Sequence, residues 1–138
     1  MSGEPEVLSD RGACLAWDGK RLPGPWLMTR ALETAFERVG QHGVVSIPIG
    51  NSHHIDCLAA YLERVAARGM VLSLHSSAPG VATVAPFGGV RAALPPAPFA
   101  IGFPTEGASV MTDVSASSPP TTWPCAGPAR DGNTTTPG

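Results

Sequence analysis

Between residues 26 and 74 the apolar side chains alternate between a helical and an extended period, and that order restricts the chain to folds that layer helices on a sheet. Over residues 26–41, Leu27, Met28, Ala31, Leu32, Ala35, Phe36 and Val39 recur every three or four positions, with Arg30, Glu33, Glu37 and Arg38 opposite them. This is the stripe of an amphipathic helix ending near Gly40. Val44-Val45-Ser46-Ile47-Pro48-Ile49-Gly50 is short and β-branched and reads as a strand, with Pro48 marking an edge or a bulge. Asn51 or Ser52 is placed to cap a second helix running to Gly69, whose buried stripe is Cys57, Leu58, Tyr61, Leu62, Val65 and Ala66. Residues 70–74 read as another strand.

The flanking regions are less regular. Residues 1–10 read as a tail, and a short strand is expected at residues 14–17, followed by turns at Asp18-Gly19 and Pro23-Gly24-Pro25. After His75 a loop punctuated by glycine and proline runs to Pro98. Strands at residues 99–103 and 109–114 follow, joined by so short a turn that they pair antiparallel. Residues 118–138 have no periodicity and little apolar content, the composition of a disordered tail, so the expected domain is 11–117.

Composition removes several functions. The 138 residues are 43% hydrophobic, enough for one domain with a core. Nine basic against 11 acidic side chains give a formal charge of −2, so there is no basic field for nucleic acid or an anionic membrane. No run of about 18 apolar residues occurs, and the N-terminus is acidic rather than a basic flank to an apolar run, as in a cytoplasmic chain. Cys14, Cys57 and Cys125 are odd in number, far apart and outside any C-x-x-C pair, which makes reduced thiols the expectation.

The segment Asn51-Ser52-His53-His54-Ile55-Asp56-Cys57 is the most suggestive chemically, because two imidazoles sit where a strand gives way to a helix. Ligands bind at such edges, and a histidine there can exchange a proton near neutral pH. The alternative is that both are polar cap residues. A metal site would need His54, Asp56, Cys57 and His75, which lack a recognised ligand spacing, so none is expected. Ser76, Ser77 and Thr83 are loop hydroxyls that either meet a ligand or bond their own backbone. Asp113 follows a strand and precedes Ser115, where carboxylate and hydroxyl either converge on a ligand or stay solvated. Neither G-x-G-x-x-G nor a P-loop is present.

Taken in order, the motifs Asp18-Gly19, Ser52-His53-His54-Ile55, Tyr61, Gly69-Met70-Val71, Ala85-Pro86-Phe87-Gly88-Gly89, Pro98-Phe99-Ala100, Pro104 and Asp113-Val114-Ser115-Ala116-Ser117 resemble one family. It is the malate/L-lactate dehydrogenase-like NAD(P)-dependent oxidoreductases, which include ureidoglycolate dehydrogenase and Δ1-piperideine-2-carboxylate reductase. The resemblance spans residues 11–117. It implies an α/β fold with a mixed, largely antiparallel sheet, flanking helices and a non-Rossmann NAD(P)-binding core, present here incompletely. It further implies a homodimer that moves hydride between NAD or NADP and a 2-hydroxy acid/2-keto acid pair or a cyclic imino acid. His54 would be the catalytic acid/base or a cofactor contact, and Ser52, His53, Ser77, Thr112, Asp113, Val114 and Ser115 would meet the cofactor.

The departures also count. Relatives carry asparagine before the proline of an x-x-N-P segment where this chain has Pro95-Pro96-Ala97-Pro98, which removes a side-chain hydrogen bond. The family glycine after the histidine motif is Asp56, which brings a negative charge towards a cofactor phosphate. Residues 1–11 do not match the family's S-H-G helix, and no T-N-G follows residue 117. The expectation is therefore a gene remnant, truncated at its start and frameshifted near Ser117. Re-reading the coding DNA tests it, and no restored T-N-G-like continuation means no frameshift. The alternative function is a non-catalytic remnant that binds cofactor weakly or only mediates association.

Overall fold

The computed structural model describes residues 3–115; Ala116, Ser117, Cys125 and the expected tail at 118–138 lie outside the described residues. Two three-stranded sheets, each with one helix, make up the molecule. In chain order the elements are β1 (Glu6–Asp10), β2 (Leu15–Asp18), α1 (Gly24–His42), β3 (Ile49–Gly50), α2 (Ala59–Ala66), β4 (Leu72–His75), β5 (Pro98–Phe103) and β6 (Val110–Ser115). The first sheet has the order β1-β2-β3, antiparallel then parallel, and the second has β4-β5-β6, antiparallel throughout. The mixed, largely antiparallel character expected from the sequence is therefore present, divided between two small sheets.

α1 forms where the periodicity predicts, beginning two residues earlier with Pro25 in its first turn and closing at Gly43, whose φ of 75° ends the helix. Its apolar face packs on the first sheet: Leu15, Trp17 and Ala31 are buried together with Val45, Ile47 and Ile49 against them. The second core places Leu58 and Leu62 of the α2 region on Ala100, flanked by Ile55, Leu72 and Leu74. Strand β4 shows why: alternate residues Leu72 and Leu74 pack on that core while Ser73 and His75 are exposed.

Three elements differ from the sequence reading. The strand expected at residues 44–50 is present only as the two-residue β3, with an isolated bridge between Cys14 and Ser46 ahead of it. The segment read as a tail contributes β1, paired with β2 at Glu6↔Asp18 and Asp10↔Leu15. Its own side chains are almost all exposed, so no burial period reveals it, and main-chain pairing alone makes the strand. The second helix begins at Ala59, eight residues after Asn51. Residues 51–58 instead run as an irregular segment alongside the turn before α1, with Asn51 at φ 51° and Asp56 at φ 61°, neither of them helical. Among the described residues no helix is long and apolar enough to cross a membrane.

Candidate active site

The histidine segment is tied down on both sides by main-chain hydrogen bonds. Arg21 N–H donates to Asn51 O (2.7 Å), His53 N–H to Leu22 O (3.0 Å) and Gly24 N–H to His54 O (3.2 Å). The approach is so close at Gly24 that an added Cβ would stand 2.3 Å from His54 O and 2.6 Å from Ile55 Cα. Only a glycine lets the head of α1 meet this backbone. On the far side, Tyr61 of α2 donates its hydroxyl to Ile55 O at 2.8 Å, and burial first, then the neighbouring Asp56 and Cys57, raise its pKa.

Two motifs separated in sequence also meet here. Asp18 Oδ1 accepts from Lys20 N–H at 2.7 Å and from the Asn51 side-chain amide at 3.0 Å, and these bonds, aided by the Lys20 charge, lower its pKa. The Asp18-Gly19 turn and the end of β3 are thereby one unit, with Gly19 N–H donating to Gly50 O at 2.8 Å.

Against this fixed backbone the His54 ring is open, its side chain 79% exposed. Nδ1 lies 3.0 Å from Asp56 Oδ1 and 3.0 Å from the Asp56 N–H. The sequence reading placed both residues on the second helix. Residues 51–58 are not helical, and the local turn at Asp56 brings its carboxylate and N–H to the His54 ring. The Asp56 charge, read as a threat to a cofactor phosphate, is directed at His54 instead.

A cleft of about 450 Å³ opens between α1, residues 45–49 leading into β3, and β4 with the start of the loop after it. Leu27, Met28, Ala31 and Ile55 give it an apolar wall, while Ser52, Ser73, His75, Ser76 and Ser77 give it hydroxyls and an imidazole. Of the residues assigned to the cofactor from the sequence, Ser52 and Ser77 line it; His53, His54, Thr112, Asp113, Val114 and Ser115 do not. No arginine or lysine lines it among the described residues. His75 was weighed from the sequence only as a metal ligand. The alternation of Leu72 and Leu74 with Ser73 and His75 was the signal that would have set it on the open face. Its Nε2 is 3.1 Å from Ser73 Oγ, and its ring lies 4.9 Å from that of Phe99. No three His, Cys, Asp or Glu side chains converge as a metal site among the described residues.

Asp113 sits elsewhere and is already engaged. Its Oδ2 accepts from Ala59 N–H at 2.7 Å and from the Cys57 thiol at 3.6 Å. The carboxylate thus occupies the amino end of α2. Thr112, Val114 and Ser115 lie on β6, the exposed outer strand of the second sheet.

A family model described as malate/L-lactate dehydrogenase matches residues 1–121 of the chain. The chain belongs to the malate/L-lactate dehydrogenase family. Hydroxycarboxylate dehydrogenase B of Escherichia coli is 32% identical over 101 residues, covering 73% of this chain and 28% of the relative. L-lactate dehydrogenase of Cupriavidus necator is 32% identical over 119 residues, covering 84% and 34%. The crystal structure of a dehydrogenase from Sinorhizobium meliloti superposes with a TM-score of 0.74 at 31% identity, over 80% of this chain and 32% of that one. The chain therefore spans roughly a third of the length of the relatives it matches.

Proposed function

We propose that this family member builds part of an NAD(P)-dependent oxidoreductase site for 2-hydroxy acid/2-keto acid or cyclic imino acid interconversion, with His54 as its proton-exchanging group. The observation that carries the reading is the histidine segment itself: its backbone is tied to the head of α1 on one side and to Tyr61 on the other, while the His54 imidazole stays open. Its neighbours Ser52 and Ile55 reach the cleft.

The cleft residues fit one end of a nicotinamide cofactor better than the other. An apolar wall with serine hydroxyls suits an uncharged ring and ribose; the lack of cationic lining among the described residues does not suit phosphates. Ser52 and Ser77 are the contacts this supports, with His53 next to Ser52 in the chain and Thr112, Val114 and Ser115 on the separate exposed face of β6. Asp113 contributes by holding the start of α2. A bound reduced nicotinamide supplies hydride to the carbonyl or imine carbon. His54 supplies the proton to the oxygen or nitrogen, and in the oxidative direction takes it back. The absence of a glycine-rich strand-to-helix turn supports a non-Rossmann core. We further read the working unit as a homodimer. Free thiols at Cys14 and Cys57 support a cytoplasmic setting.

Fluorescence titration with NADH and with NADPH, followed by pyruvate and cyclic imino acid reduction assays, tests the proposal. Binding and turnover that His54→Ala abolishes support it. Binding without turnover supports the non-catalytic alternative, and no binding of either cofactor refutes both.

A further inference from the structure

Asp56 adopts φ 61°, a left-handed conformation that glycine enters freely and an aspartate enters at a cost. That strained residue presents two groups to one atom: its carboxylate Oδ1 and its backbone N–H each lie 3.0 Å from His54 Nδ1. They require opposite states of that nitrogen. A carboxylate only accepts, so Nδ1 must carry a proton; an amide N–H only donates, so Nδ1 must offer a lone pair. A neutral imidazole holds one proton, so whichever contact prevails at Nδ1 decides what Nε2 presents. Nε2 makes no hydrogen bond among the described residues.

We propose that Asp56 is a positioning residue for His54: its carboxylate holds the neutral ring as the Nδ1–H tautomer and leaves the Nε2 lone pair for the reaction's proton. The inference rests on the reading of His54 as the proton-exchanging group. A hydrogen bond to an ionised acceptor is about twice as strong as one between neutral groups, so the carboxylate prevails over the amide. The pair is exposed, which keeps the preference severalfold rather than absolute. In the direction of reduction, the imidazolium gives its Nε2 proton to the substrate oxygen or nitrogen as the cofactor's hydride reaches carbon. The ring that remains is the Nδ1–H tautomer, still donating to Asp56. Oxidation returns the proton to Nε2, so the ring need not turn in either direction.

Histidine-selective ¹⁵N labelling of the full chain reads the proton on each ring nitrogen, at a pH where the ring is neutral. The His54 signals are assigned by their loss in His54→Gln. The expected result is Nδ1–H as the major form in the natural chain. In Asp56→Gly the carboxylate is gone but the backbone N–H remains, and Nε2–H becomes the major form; glycine at this positive φ relieves the backbone. Asp56→Asn, a neutral acceptor, shifts the ratio the same way by less. A natural chain already mainly Nε2–H, or a ratio that moves in neither variant, overturns the proposal. The readout needs neither cofactor nor turnover. The expected tautomer without NADH or NADPH binding refutes the function and keeps only the control of the His54 tautomer by Asp56; binding with an unmoved tautomer does the reverse.

Discussion

Gly24→Ala sets two physical effects against each other at the head of α1. Helix propensity and the entropy of the unfolded chain both favour alanine, by about 0.5–1 kcal/mol. The structure opposes this, because the new Cβ would sit 2.3 Å from His54 O and 2.6 Å from Ile55 Cα, about 1 Å inside ordinary contact. Both obstacles are backbone, so relief requires α1 and the histidine segment to separate. Overpacking of that kind costs roughly 1–3 kcal/mol. The Gly24 N–H bond to His54 O, worth about 0.5–1.5 kcal/mol, weakens with it. The clash therefore wins, with a net destabilisation of roughly 1–3 kcal/mol. Gly40→Ala is the matched control: it lies in the same helix with nothing within 4 Å of the added Cβ, so propensity acts alone and stability rises by about 0.5–1 kcal/mol. Urea unfolding followed by tryptophan fluorescence, with Trp17 buried in the α1 core, measures both. For a slope of roughly 1–3 kcal/mol per molar urea, the Gly24→Ala midpoint falls by on the order of 1 M. A midpoint that rises in both variants refutes the close-approach reasoning.

Leu62 is fully buried with Gly102 closed against it, so Leu62→Ala should cost about 2–5 kcal/mol in the same assay. Asp113→Ala leaves Ala59 N–H without its acceptor and should cost about 1 kcal/mol. Amide exchange speeding up at the first turn of α2, more than elsewhere, is its specific sign. Asp10 is held from 3.8 down to about 2 by its hydrogen bond to Arg38 first and then by the Gly12 N–H. A depressed carboxylate stabilises the fold fully above its unfolded value and loses that contribution as pH falls through the folded one. Stability should therefore decline with acidification between about pH 4 and pH 2, and Asp10→Asn should flatten that slope in an acid titration.

The elements whose apolar residues are periodic or clustered along the chain were legible. α1 and the β5–β6 hairpin announce themselves by a helical stripe and by two short apolar runs around one turn. β1 was not legible, since its side chains are exposed and only hydrogen bonds to β2 make it a strand. The late start of α2 was hidden for a related reason. Asn51 and Ser52 are good cap residues, but tertiary hydrogen bonds from Arg21, His53 and Gly24 hold the backbone in a non-helical path there, and Asp113 caps the helix from a strand more than fifty residues away.

From its residues alone, the chain's family membership follows and the histidine segment stands out as a candidate, because ordered motifs and periodic apolar residues are properties of a linear string. Which of those residues work together is a matter of tertiary structure. Ser52 and Ser77 share a cleft, Asp113 serves a helix, and Asp56 turns its carboxylate to His54. Contacts across tens of residues, and a backbone held at positive φ by its surroundings, depend on how the two small sheets and their helices pack, and no local spacing encodes that packing.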